Sequence, residues 1–166
     1  MTLPRLIATF FGIGYLRPAP GSWGSAAAAA LGVLLHGLGG FPLLLAATLA
    51  VIPLGFWATA RTVADAADKD PSEIVIDEVA GQWIALLFPS AGFWMRGMES
   101  WNFPWPGYVV AFLFFRLFDI WKPGPIGRAD RRRDAAGTMI DDLWAGLFAG
   151  IATVIAAGLY HGVLMR

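Results

Sequence analysis

The sequence predicts an all-α fold, a multi-helix integral membrane bundle with about four or five membrane helices and a polar site at its cytoplasmic face. Three observations lead there. The 166 residues are 57% hydrophobic and only 14% charged, with a mean hydropathy of +0.61. A soluble domain carries about 45–50% apolar and about 25% charged residues. The apolar residues gather in long Ala-, Leu- and Gly-rich runs that lack the period-two alternation of strands. Finally, the carboxylates that enter these runs are few and clustered.

The length suits one domain, residues 1–166. Twelve basic and twelve acidic residues cancel, so no overall charge argues for nucleic acid as a partner. There is no cysteine, which excludes disulfide and thiol chemistry. Met1 to Phe11 does not read as a signal peptide, because Pro4 and Arg5 interrupt a short apolar stretch.

Leu6 to Tyr15 is a weakly apolar lead-in, closed by Arg17-Pro18-Ala19-Pro20-Gly21. Ser22 or Ser25 is a candidate N-cap for a first helix over Ala26 to Leu35. His36-Gly37-Leu38-Gly39-Gly40 breaks the chain. Phe41 to Ala60 is a second apolar helix, bilayer-spanning in length, with a kink expected at Pro53. Arg61 to Pro71 is polar, with Asp65, Asp68, Lys69 and Asp70. A third helix is predicted from Ser72-Glu73 to Phe88. Pro89 to Pro106 reads as a loop whose Trp94, Trp101 and Trp105 suit a membrane–water interface. A fourth helix spans Gly107 to Trp121, a basic loop Lys122 to Gly137, and a fifth helix Thr138 to Met165.

The 61–72 and 122–137 connections carry Arg61, Lys69, Lys122, Arg128, Arg131, Arg132 and Arg133, whereas 36–41 and 89–106 carry only Arg96 among lysines and arginines. The positive-inside rule then puts the N-terminus and both basic loops in the cytoplasm. Five crossings would leave the C-terminus outside. In this arrangement Arg17 to Ser25, Asp77-Glu78, Asp119 and Asp141-Asp142 all fall at the cytoplasmic ends of their helices. The first, third and fourth helices are short, at roughly ten to sixteen residues against the usual twenty.

Ionisable groups at membrane depth are costly and usually line an interior or a wet cavity. Asp77 and Glu78 sit about one turn into an apolar helix. Carboxylates near a helix N-terminus are also favoured by the dipole alone, a reading that suits Glu73. Asp119 follows Arg116 by three residues on one helical face, and Lys122-Pro123 closes that helix. This is either a structural ion network or a ligand carboxylate beside two phosphate-binding cations. Asp141-Asp142 opens the last helix. At one depth, Asp77, Glu78, Asp119, Asp141 and Asp142 look like an oxygen-ligand site for a hard divalent ion such as Mg²⁺. The Pro20-Gly21-Ser22 turn into a helix could hold phosphate or glycerol oxygens. Arg128, Arg131, Arg132 and Arg133 read chiefly as an anchor on anionic headgroups, with Arg128 also a candidate phosphate ligand. His36 and His161 lie away from the acids and read as structural. No Walker loop, HExxH or Ser/His/Asp arrangement is present.

Four stretches together resemble the bacterial phosphatidylglycerophosphatase A family. They are Pro18-Ala19-Pro20-Gly21-Ser22-Trp23-Gly24-Ser25, Ile76-Asp77-Glu78-Val79-Ala80-Gly81-Gln82-Trp83, Phe115-Arg116-Leu117-Phe118-Asp119-Ile120-Trp121-Lys122-Pro123-Gly124-Pro125-Ile126 and Met139-Ile140-Asp141-Asp142-Leu143-Trp144-Ala145-Gly146. They run in order from about Gly14 to Gly146. One departure is Asp134-Ala135-Ala136, where the family often has a glycine pair. The resemblance implies an all-helical, Mg²⁺-dependent phosphatase of the bacterial inner membrane, acting on phosphatidylglycerophosphate and giving phosphatidylglycerol. It casts Asp77, Glu78, Asp119, Asp141 and Asp142 as metal-binding and catalytic residues. Arg17, Gly21, Ser22, Arg116, Lys122 and Arg128 then bind the substrate phosphate. Attack by water and attack by an aspartate carboxylate both remain open. A competing class is a small cation or proton transporter, which predicts ionisable groups spread through the membrane depth rather than gathered at one face.

Overall fold

The computed structural model describes residues 1–64, 71–101, 105–132 and 134–164. Asp65, Asp68, Lys69 and Asp70 of the polar segment and Arg133 of the basic run lie outside them. The architecture is all-helical, with no strand among the described residues. The helices are α1 (Leu3–Ala8), α2 (Pro20–Val63), α3 (Ile76–Met95), α4 (Trp105–Trp121), α5 (Pro125–Asp130) and α6 (Ala135–Leu159), with a π turn from Tyr160 to Leu164.

α2 is two helices joined at a sharp bend. Gly39 and Gly40 leave helical geometry, and Gly40 takes φ 64°, a conformation open to glycine at no Cβ cost. A Cβ on Gly24 would meet Val75, and one on Gly55 would meet Met139 and Ile76. A straight helix would separate Gly24 from Gly55 by about 46 Å. Their shared neighbours in sequence, Val75 and Ile76, show that the arms 20–38 and 41–63 fold back on each other. The predicted break at residues 36–40 is therefore real, but narrower: His36 to Leu38 stay helical.

Other boundaries move. The first helix opens at Pro20, with the ring at the first helical position, where its missing N–H costs nothing. Ser22 and Ser25 lie inside it and are not caps. Pro53 keeps helical dihedrals, so no break occurs there. The third helix starts at Ile76 rather than Ser72, and runs through the buried Pro89 to Met95. Packing on neighbouring helices holds the chain helical where local sequence favoured a loop. The expected basic loop contains α5, and Asp134 caps α6 by accepting the Gly137 N–H at 2.6 Å. Arg132 and that N–H hold the Asp134 carboxyl below its usual range.

The core lies where α3 crosses both arms of α2 and α6. Phe115, Leu86, Leu44 and Met139 are fully buried. Trp83 Nε1 donates to the Ala28 carbonyl at 2.8 Å, tying α3 to the first arm. His36 Nδ1 and Ser90 Oγ lie 2.7 Å apart deeper in the same seam. Outward faces remain apolar: Leu38, Leu49, Leu113, Ile120, Val154 and Ile155 are all exposed. An apolar surface of that extent suits lipid rather than water. α2 and the segment Ala135–Gly162 are long and apolar enough to cross a bilayer.

Candidate active site

α3 and α6 present the same local device at one end of the bundle. Asp77 Oδ1 accepts the Glu78 N–H, and Asp141 Oδ1 accepts the Asp142 N–H, each at 3.0 Å. Each aspartate thereby fixes its own orientation through the first turns of its helix. Asp77, Asp141 and Asp142 are all buried. Carboxylate oxygens of Asp77, Glu78 and Asp142 lie within 4.8 Å of one another. Glu78 Oε2 is buried and has no hydrogen-bond partner.

What brings the two helices so close is glycine. A Cβ on Gly146 would sit 2.1 Å from the Gly81 carbonyl oxygen, and one on Gly81 would sit 2.4 Å from the Asp142 carbonyl oxygen. Gly81 lies one turn beyond Asp77, and Gly146 one turn beyond Asp142. The backbone contact therefore sets how near the acids come.

α4 supplies the third side. Arg116 Nη1 pairs with Asp119 Oδ2 at 2.5 Å and with Ser25 Oγ at 3.1 Å, while Nη2 reaches Ser22 Oγ at 3.3 Å. Ser25 Oγ donates onward to the Gly21 carbonyl at 2.7 Å. The planar guanidinium so joins α4 to the start of α2. Gly21 abuts the acids directly, since a Cβ there would lie 2.2 Å from Glu78 Oε1. At the end of α4, Lys122 takes φ 49° before Pro123, a left-handed helix stop. Its Nζ donates to Asp130 and Asp141, both at 2.6 Å. Burial would lower the Lys122 pKa, but those two carboxylates outweigh it and raise it above the ordinary 10.5.

These groups enclose a cavity of about 280 Å³. All five predicted acids line it, with Gly21 and Lys122. Ser22 and Arg116 adjoin it through the bonds just described. Arg17 and Arg128 are exposed and do not line it. Two contributors have no site role in the sequence reading: Asp130, which lies inside the basic run, and Ser25, a candidate cap.

Six carboxylates (the five acids and Asp130) meet two cations, Arg116 and Lys122. The chemistry of the donor set and the orphaned Glu78 Oε2 both fit a hard divalent cation.

Fold and site together define the class: a membrane-associated helical protein with a buried carboxylate site at one end of its bundle. The profile of the phosphatidylglycerophosphatase A family matches residues 6–157. The chain belongs to that family, and it is a phosphatase. A phosphatidylglycerophosphatase A of Haemophilus influenzae is 38% identical over 149 residues, covering 89% of this chain and 84% of that one. The Escherichia coli K12 protein of the same name is 33% identical over 159 residues, covering 95% and 81%. A putative phosphatidylinositol-3-phosphatase of Bacteroides thetaiotaomicron is 36% identical over 159 residues, covering 93% of each chain. No solved structure matches.

Proposed function

We propose that the protein removes the terminal phosphate of phosphatidylglycerophosphate, giving phosphatidylglycerol and inorganic phosphate, at the cytoplasmic face of the bacterial inner membrane. The observation that carries the chemistry is the convergence of Asp77, Glu78 and Asp142 within 4.8 Å beside a cationic rim. The substrate follows from the two relatives that bear that activity's name. Five crossings fit the fold: both arms of α2, then α3, α4 and α6. The basic connections would then lie on the cytoplasmic side with the cavity.

Asp77, Glu78 and Asp142 would hold Mg²⁺, with Asp119 and Asp141 completing the ligand set. Bound there, the ion would supply charge against the phosphoryl oxygens and acidify a water for attack on phosphorus. The chain's own groups do the rest. Lys122 and Arg116 offer N–H donors to phosphate oxygens at the rim. The Gly21 backbone lies against Glu78 with no side chain between and lines the cavity that would take the headgroup. The apolar outer faces of α2 and α4 keep the acyl chains in lipid.

A second lipid substrate has a specific basis. The Bacteroides relative is named for a phosphoinositide, and its identity lies between those of the other two. Both substrates are phosphomonoesters on a lipid headgroup, and the cavity chemistry serves either. The transporter reading is not favoured: the acids gather at one end, and the charged residues of α2 and α6 leave residues 20–60 and 143–159 clear.

The test is phosphate release by the purified protein in detergent micelles. Phosphatidylglycerophosphate is compared with phosphatidylinositol 3-phosphate, phosphatidic acid and a soluble phosphomonoester. Chelation should abolish release and added Mg²⁺ restore it. Near-normal activity of Asp77→Ala would refute the site.

A further inference from the structure

Lys122 is a donor with three N–H bonds. Two are committed, to Asp130 Oδ1 and Asp141 Oδ2, each at 2.6 Å. The ammonium also lines the cavity. Asp141 approaches it from the buried side, at 6% side-chain exposure, and Asp130 from the open side, at 42%. Asp130 ends α5, and the 122–130 connection folds back so that this carboxylate reaches the lysine eight residues before it.

We infer that Asp130 is a positioning residue: it holds the Lys122 ammonium at the cavity rim, so that its third N–H is presented to the substrate phosphate. This rests on the phosphatase reading given above. A flexible four-carbon stem with a single anchor would follow the stronger pull. Without Asp130, Lys122 pairs with Asp141 alone and withdraws toward the buried acids. With both carboxylates in place, it is suspended between them.

Asp130 is itself negative, so it also repels a phosphate. That repulsion is the weaker effect. The carboxylate is nearly half in water, where a charge acting at a distance is heavily screened. The hydrogen bond to Lys122 acts at contact.

The experiment uses the full chain in detergent micelles. Asp130→Ala should raise KM for phosphatidylglycerophosphate about tenfold while kcat changes less than about threefold, the pattern of lost ground-state phosphate binding. Asp130→Asn, which keeps the shape and one acceptor, should give an intermediate rise. It is the reporter if the alanine variant folds poorly. In a Lys122→Met background, Asp130→Ala should change KM by less than about twofold, because the two residues act as one unit. Affinity for inorganic phosphate, titrated without turnover, should follow the same pattern. An unchanged or lowered KM in folded Asp130→Asn overturns the inference. So does an equal penalty with and without Lys122, which marks a purely structural carboxylate. If the wild type releases no phosphate from phosphatidylglycerophosphate, the substrate reading fails instead, and the phosphate titration still decides the role of Asp130.

Discussion

Gly146 lies against the carbonyl oxygen of Gly81, where a methyl group would stand only 2.1 Å away. The obstacle is backbone, which cannot swing aside. Gly146→Ala must therefore part α3 from α6 and carry Asp142 away from Asp77. Overpacking costs about 1–3 kcal/mol where side chains can adjust, and this contact should reach the upper end or exceed it. Thermal unfolding in micelles should show a markedly lower midpoint, and phosphatase activity should fall with it. Unchanged melting and activity would mean that the helices are spaced by something else.

Gly21→Ala is the contrasting case. Its added methyl meets the Glu78 carboxylate, the far end of a side chain. Glu78 can rotate away, so folding should survive within the usual half kcal/mol or so of a neutral substitution, ~0.5 kcal/mol. Activity should drop by about tenfold or more, since Glu78 no longer faces Asp77 and Asp142. A variant that melts early and yet retains full specific activity would reverse the assignment.

Asp142→Asn should stabilise the protein in chelator. It replaces one of three clustered carboxyl groups, whose oxygens lie within 4.8 Å and whose ionised forms repel one another, by a neutral amide. The proposed Mg²⁺ site predicts a rise in melting temperature on adding Mg²⁺ to the wild type, and the same change should abolish it, because a ligand stabilises only the state that binds it. Equal Mg²⁺-induced shifts in both proteins would place the ion elsewhere.

Arg116→Lys keeps the charge but loses the fork that spans Asp119, Ser25 and Ser22. The expected result is a loss of about tenfold or more in kcat/KM, since a single ammonium nitrogen cannot take the places of the two guanidinium nitrogens that reach Asp119, Ser25 and Ser22. Full activity in the lysine variant would reduce Arg116 to a counter-charge.

Lys122 gives a pH prediction with a definite sign. Its folded pKa lies above the ordinary 10.5, so its ion pairs persist through neutral and mildly alkaline solution. They weaken only as pH rises through that raised value. Any alkaline decline in activity at lower pH must come from another group. Lys122→Arg should therefore leave the shape of the profile unchanged; a displaced alkaline limb would contradict this.

The site was more legible than the fold that builds it. Asp77, Glu78, Asp119, Asp141 and Asp142 stood out because charge in an apolar run needs a reason. The distribution of basic loops predicts a common depth for them, and the structure gathers all five around one cavity. The arms of α2 were visible in Gly39 and Gly40. Helix 3 was misjudged at both ends: Ser72 looked like a start and Pro89 like a stop, but packing overrides local preference at each. α5 was hidden because Pro125 to Asp130 is too short to show periodicity. Neither the Gly81–Gly146 contact nor the grip of Asp130 on Lys122 could be read, since both depend on which distant backbone lies alongside.

α3 carries Asp77 in its first turn and Trp94 near its far end, about 26 Å apart along the axis, close to the thickness of a bilayer's hydrocarbon core. With α3 as a crossing, the acids sit at one interface and the tryptophan at the other. Substrate headgroups would then be drawn from one leaflet only, and the product left in that leaflet. A phosphorylated lipid in the opposite monolayer would be out of reach by a full helix length and would have to be flipped before it could be dephosphorylated. In that topology the spacing of two side chains along one helix would make the enzyme a reader of membrane asymmetry.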